Sequence, residues 1–106
     1  MIDTLLLLDF YGQLLTERTR SLAILYFEED MTFSEIAELE GISRQAVHDT
    51  VGRGVRSLKK YEEKLGLVGR FLEEKKMVRD ALASIRAGES ENAICILSRL
   101  TEKIDE

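Results

Sequence analysis

Between Thr32 and Val51 the sequence carries the start and stop signals of two short-spaced helices. Thr32 and Glu35 stand as T-x-x-E, in which the threonine oxygen accepts from the backbone three residues on and the glutamate reaches back to the threonine N–H. Met31 and Ile36 flank this box at the positions of a hydrophobic staple. The helix it opens is short, because Gly41 follows Leu39 and Glu40 and tolerates the left-handed geometry of a turn. Ser43 then caps a long helix expected to run to about Leu65, where Gly66 is suited to the left-handed stop. Ala37 is the small residue needed where the second helix crosses the first closely. Ile36, Ile42, Val47 and Val51 are the aliphatic side chains that hold the crossing. Together these offsets predict a helix-turn-helix, with a purely structural helical hairpin as the alternative.

The rest of the chain reads as helix too. It has 106 residues, no proline and no tryptophan, and its apolar residues recur at helical spacing. A first helix is expected from Asp3 to about Leu15. Thr16 caps a second, running to about Glu29 with Leu22, Leu25 and Tyr26 on its inner face. Beyond Gly66, Leu67–Ala87 and Ser90–Ile104 read as two amphipathic helices separated by Gly88. The expectation is an all-α fold of about six helices. Residues 1–66 form a helix-turn-helix domain with its motif at 32–51, and residues 67–106 form a C-terminal extension that packs or dimerises and is not independent. Leu58, Leu65 and Leu72 recur every seven residues with Tyr61 and Val68 between them, which fits intrachain packing or a dimer seam. Ile94, Leu97, Leu100 and Ile104 share one face of the last helix, expected to cover the core of its own domain.

Charge is unevenly placed. The net value is −5, which alone argues against nucleic acid. Residues 1–42 hold nine acids against two bases, whereas residues 43–60 hold Arg44, Arg53, Arg56, Lys59 and Lys60 against Asp49 alone. A short basic stripe on an acidic body suits modest DNA affinity, with a log–log salt slope of about −4 to −5 per chain if all five bases meet phosphates.

With Val47 and Val51 facing inward, Arg44, Gln45, His48 and Asp49 face outward. Arginine pairs bidentately with guanine and glutamine with adenine, so Arg44 and Gln45 are the leading base readers, with His48 beside them. Asp49 is expected to accept from cytosine or to restrain Arg53. Ser43, Arg53, Arg56, Lys59 and Lys60 are the candidate phosphate contacts. A solvated helix surface is the plainer alternative for each. Gly52 and Gly54 lie inside the long helix at a cost of about 1 kcal/mol each relative to alanine, which implies close approach of another helix or a bend.

Other chemistries find little support. The G-x-G at Gly52 and Gly54 lacks the third glycine and preceding strand of a dinucleotide site. His48 and Cys95 are the only histidine and cysteine, too few for a zinc cluster or a disulfide framework. Cys95 falls among Ile94, Ile96 and Leu97 and is expected as a core thiol. No enzyme, cofactor or metal is expected. The apolar run Leu5–Leu8 is too short to span a membrane and lacks the basic region of a secretory signal, so a soluble cytoplasmic protein is expected. Exposed aromatics for stacking RNA bases are few, Phe, Trp and Tyr together being 7%. Double-stranded DNA is the expected partner. A homodimer is expected as well, since one recognition helix and five bases bind weakly and a two-fold pair doubles the contacts.

Leu22–Tyr26, Glu35-Ile36-Ala37-Glu38, Gly41-Ile42-Ser43 and Val47 resemble region 4 of bacterial sigma factors, which reads promoter −35 elements. Asp9-Phe10-Tyr11, Leu14-Leu15-Thr16, Ser34-Glu35-Ile36-Ala37-Glu38 and Ser43-Arg44-Gln45-Ala46-Val47 resemble, more closely, the YlxM-like family of small bacterial helix-turn-helix proteins. This resemblance covers roughly Leu5 to Leu67. It implies a sigma-region-4-like helical fold and DNA binding, with Arg44 and Gln45 as the exposed pair. It also implies, from gene neighbourhood, an alternative role as an interaction module for the GTPase of the signal recognition particle. The sequence departs from the family's pattern at His48, where an aromatic is expected, at Glu40, where a core apolar residue is usual, and at Gly52 and Gly54.

Overall fold

The computed structural model describes residues 2–105; Met1 and Glu106, the outermost residues of the expected domain and extension, lie outside them. Six α-helices follow in order, with no strand among the described residues: α1 (Thr4–Tyr11), α2 (Glu17–Phe27), α3 (Phe33–Glu40), α4 (Arg44–Leu65), α5 (Leu67–Arg86) and α6 (Ser90–Ile104). A 3-10 turn, Gly12–Leu14, follows α1. The chain forms two compact units, Met1–Val68 and Gly69–Glu106.

Local chemistry sets the helix starts of the first unit. Asp3, Thr16, Thr32 and Ser43 are N-caps whose side-chain oxygens accept from the first turns of α1, α2, α3 and α4. At α3 both halves of the capping box form: Glu35 N–H donates to Thr32 Oγ1 at 3.1 Å, and Thr32 N–H to Glu35 Oε1 at 2.9 Å. Glu35 is held below the usual carboxylate value, chiefly by that backbone N–H and then by the threonine hydroxyl.

Two helix ends come earlier than the sequence predicts. α1 stops at Tyr11, and a tighter bond from Leu15 N–H to the Gly12 carbonyl (3.1 Å) winds the next residues into the 3-10 turn. α2 stops at Phe27, not near Glu29. Glu28, Glu29 and Asp30 bring three negative charges to the negative end of a helix dipole, and Asp30 takes a left-handed φ of 55° that turns the chain toward α3.

The core of this unit has two parts. Leu7, Leu8, Tyr11, Ala23, Leu58 and Val68 form one. Leu22, Ile36, Ala37, Val47 and Val51 form the other, with Leu25, Tyr26, Met31 and Ile42 packed around it. Of the inner face expected for α2, Leu22 is fully buried while Leu25 and Tyr26 are half-buried; Ala23 joins Leu22 inside. Met31 and Ile36 meet in the second cluster, as the staple requires. α4 spans both parts, through Val47 and Val51 at one end and Leu58 further on. At about 1.5–3 kcal/mol for each fully buried large apolar side chain, this pairing fixes α4 against the rest of the unit.

Gly54 explains itself at this packing. It is buried, and a Cβ there would stand 2.9 Å from Thr19 Cγ2 of α2. Gly52 meets only the Arg56 guanidinium, at 3.5 Å, so no helix approaches it. A second local network closes the unit. Buried Tyr11 donates its hydroxyl proton to Glu62 and accepts from Leu67 N–H at 3.0 Å, while Val68 N–H donates to Glu62 at 3.0 Å. Burial, followed by the bond to Glu62, raises the tyrosine pKa above its ordinary value.

The seven-residue spacing of Leu58, Leu65 and Leu72 does not mark one continuous seam. Gly66, at φ 63°, ends α4 and starts a new direction. Leu58 and Val68 are buried on the first unit, whereas Leu65 is 55% exposed and Leu72 is exposed as well.

In the second unit, α5 and α6 turn at Gly88 (φ 79°). α6 buries Ala93 and Leu100 with Ile96 half-buried; Ile94, Leu97 and Ile104, expected to cover the core, are exposed. The small Ala93 is the side chain that fits against a close neighbour. Cys95 is also exposed, not the core thiol its apolar neighbours predict, because it projects roughly 160° around the helix from Ala93.

Candidate nucleic-acid interface

The helix-turn-helix closes on backbone geometry. Gly41 takes φ 68°, and Ile42 N–H returns to the Ala37 carbonyl at 3.1 Å, the six-to-one bond of a Schellman stop. Two residues later Ser43 Oγ accepts Ala46 N–H at 3.0 Å and starts α4. α3 and α4 are held by Ile36, Ala37, Val47 and Val51, all buried. The outer face of the first turns of α4 is thereby free of the core. Ser43, Arg44, Gln45, His48, Asp49, Arg53, Arg56, Lys59 and Lys60 are all exposed.

Three of the sequence-predicted residues meet around one carboxylate. Gln45 Nε2 donates to Asp49 Oδ1 at 2.9 Å, and His48 Nδ1 lies 3.3 Å from the same oxygen. These two bonds, His48 first, hold the Asp49 carboxyl below its usual value. Asp49 thus restrains Gln45 and His48, while Arg53, the partner expected for it, donates to Thr50 Oγ1 at 3.3 Å. The arrangement fixes the glutamine amide with its carbonyl oxygen and second N–H available, the pair that meets an adenine edge.

Phe33, which sequence reasoning did not single out, forms a ledge beneath Arg44 and His48. Its ring stacks on Tyr26 (4.4 Å between centroids, 19° between planes) and meets the His48 ring edge-on at 5.5 Å. The Arg44 guanidinium carbon lies 5.9 Å from the same ring centroid. The available signal was an aromatic residue directly after the N-cap Thr32, but its use depends on α2, α3 and α4 meeting. Lys59 and Lys60 are set apart from this group. At 1.5 Å per residue they lie about 24 Å along the axis from Ser43, and Lys59 borders a hollow lined by Ile2, Leu7, Glu62 and Glu63.

Among the described residues no cluster of three or more His, Cys, Asp or Glu could hold a metal ion, and no helix is long and apolar enough to cross a membrane. A short capped helix, a left-handed turn and a long helix with an open polar face define a helix-turn-helix protein. Residues 2–94 match the family described as "UPF0122: Putative helix-turn-helix protein, YlxM / p13 like". The chain belongs to that family. It is similar to a UPF0122 protein of Desulforamulus reducens, 45% identical over 105 residues covering 92% of this chain and 90% of the relative. One from Acetivibrio thermocellus is 44% identical over 108 residues, covering 98% and 92%. The UPF0122 protein YlxM of Bacillus subtilis is 39% identical over 99 residues, covering 93% and 90%.

Proposed function

We propose that the chain binds double-stranded DNA and acts as a transcriptional regulator, entering the major groove with the first turns of α4. The observation that carries this is the ordered set Arg44, Gln45 and His48, exposed on one capped helix end and held by Phe33 and Asp49. Arg44 reads guanine, Gln45 reads adenine, and His48 meets a base or phosphate nearby. Asp49 has a second carboxylate oxygen with which to accept from a cytosine amino group. Ser43, Arg53 and Arg56 contact phosphate and set register, with Lys59 and Lys60 as the outlying cations. Gly52 lies between Gln45 and Arg56 on the outer face, where the missing side chain lets phosphate approach the helix backbone. The family's description as helix-turn-helix supports the reading. So does the local excess of base over acid in residues 43–60.

Selection from a random duplex pool by the purified protein, at low and near-physiological salt, tests it. The expected result is an enriched motif that disappears with Arg44→Ala. Retention of the wild-type motif by that variant, or no enrichment at either salt, rejects direct readout.

One observation favours a second reading, an interaction module whose partner presents a basic surface, such as the GTPase of the signal recognition particle. α3, next to the recognition helix, exposes Glu35, Glu38 and Glu40, which repel phosphate. A protein complex that survives Arg44→Ala with Gln45→Ala would support this reading.

A further inference from the structure

The second unit has fewer than 40 residues and buries little that is large: Ala81, Ser84, Ala93 and Leu100. Its bulkier apolar side chains lie outside. Val78, Leu82 and Ile85 of α5, with Ile94, Leu97 and Ile104 of α6, are each between 40 and 59% exposed. Chains this short ordinarily need a disulfide, a metal or a second copy to hold a fold.

These six residues share one side of the α5–α6 hairpin. At 100° per residue, Val78, Leu82 and Ile85 occupy the arc beside the buried Ala81 and Ser84, and Ile94, Leu97 and Ile104 the arc beside Ala93 and Leu100. On that side Phe71, Val78, Leu100 and Ile104, with Glu74 and Lys75 at the α5 side, line a mainly apolar groove of about 380 Å³. The opposite side is largely charged, lined by Glu73, Lys76, Met77, Arg99, Glu102 and Lys103.

We infer that this apolar side pairs with the same side of a second copy, forming a four-helix bundle that makes the protein a two-fold dimer. Area and charge both favour a second copy as the occupant. The six side chains leave roughly 500 Å² open per copy, so that two copies bury about 1,000 Å², the floor for a specific interface. The outer edge of α5 is basic at Lys75 and Arg86, and that of α6 is acidic at Glu91, with Glu102 on the rim it shares with the charged side. Within the hairpin Asn92 bonds Ser84 (2.7 Å) and Lys103 pairs with Glu73. That register puts Lys75 level with Glu102, and Arg86 level with Glu91. A two-fold axis parallel to the helices lays α5 of one copy antiparallel over α6 of the other and keeps those levels. Each basic edge then meets the acidic edge of the other copy.

Sedimentation velocity of the full chain without DNA tests the pairing separately from DNA reading. Wild type is expected at twice its 12.1 kDa mass. Leu97→Glu, with unchanged helical circular dichroism, is expected to weaken the dimer at least about 100-fold. The variants Lys75→Glu with Arg86→Glu, and Glu91→Lys with Glu102→Lys, change exposed residues, of which Lys75 also lies over the Phe71 ring at 5.7 Å. Each alone is expected to weaken pairing about tenfold, and an equimolar mixture to restore it, since both edges of the mixed dimer are complementary. A monomeric wild type, a folded Leu97→Glu dimer, or a mixture that pairs no better than its components overturns the inference.

Discussion

Tyr11 does more for this fold than fill space. Its hydroxyl is the acceptor for Leu67 N–H at the start of α5 and a donor to Glu62, so its loss leaves part-buried polar groups without this partner. Tyr11→Phe is expected to lower unfolding free energy by about 2 kcal/mol, seen as a lower denaturant midpoint at unchanged slope; no shift in the midpoint would contradict the bonding scheme. Glu35 makes a pH-dependent contribution of opposite origin. Its folded carboxyl titrates below the ordinary value because Thr32 bonds its ionised form. The stabilisation is therefore present above the unfolded pKa and is lost as pH falls through the lower folded one. Urea midpoints measured from about pH 6 to pH 3 are expected to fall less steeply for Glu35→Gln, which keeps an acceptor without the titration. Equal slopes would exclude the cap as a source of acid sensitivity.

The helices show which features a sequence makes readable. Thr16, Thr32, Ser43, Gly41 and Gly66 act on their own neighbours, so each cap and stop was visible without knowledge of the fold. The face of α6 was not. Ile94, Leu97, Leu100 and Ile104 and the inward set of buried Ala93 and Leu100 with half-buried Ile96 are adjacent arcs of one helix, and hydrophobicity favours the wrong one. Close packing chose the small alanine. The Phe33 ledge escaped for a similar reason, because it exists only where α2, α3 and α4 converge. The glycines of α4 are likewise two different cases under one spelling. Gly52→Ala is expected to stabilise by about 1 kcal/mol, through helix propensity, with only an ordinary contact to the Arg56 guanidinium at 3.5 Å. Gly54→Ala is expected to destabilise by about 1–3 kcal/mol, because the added carbon meets Thr19 at 2.9 Å. Thermal unfolding of the two variants decides this, and shifts of the same sign would contradict the packing of α2 on α4.

At the scale of the whole chain, a net charge of −5 and a basic stretch at 43–60 pull in opposite directions. The acidic body opposes general adhesion to nucleic acid, so the DNA binding proposed for the chain rests on a few well-held groups on α4. The central claim is that these groups lie on its first three turns. It is tested most directly by titrating a short DNA duplex into isotopically labelled protein at low salt and following the backbone amide resonances. The account predicts the largest shifts at residues 43–53, diminishing together when salt is raised, with little change in α1. Shifts centred away from α4, or none at any duplex concentration, would contradict it.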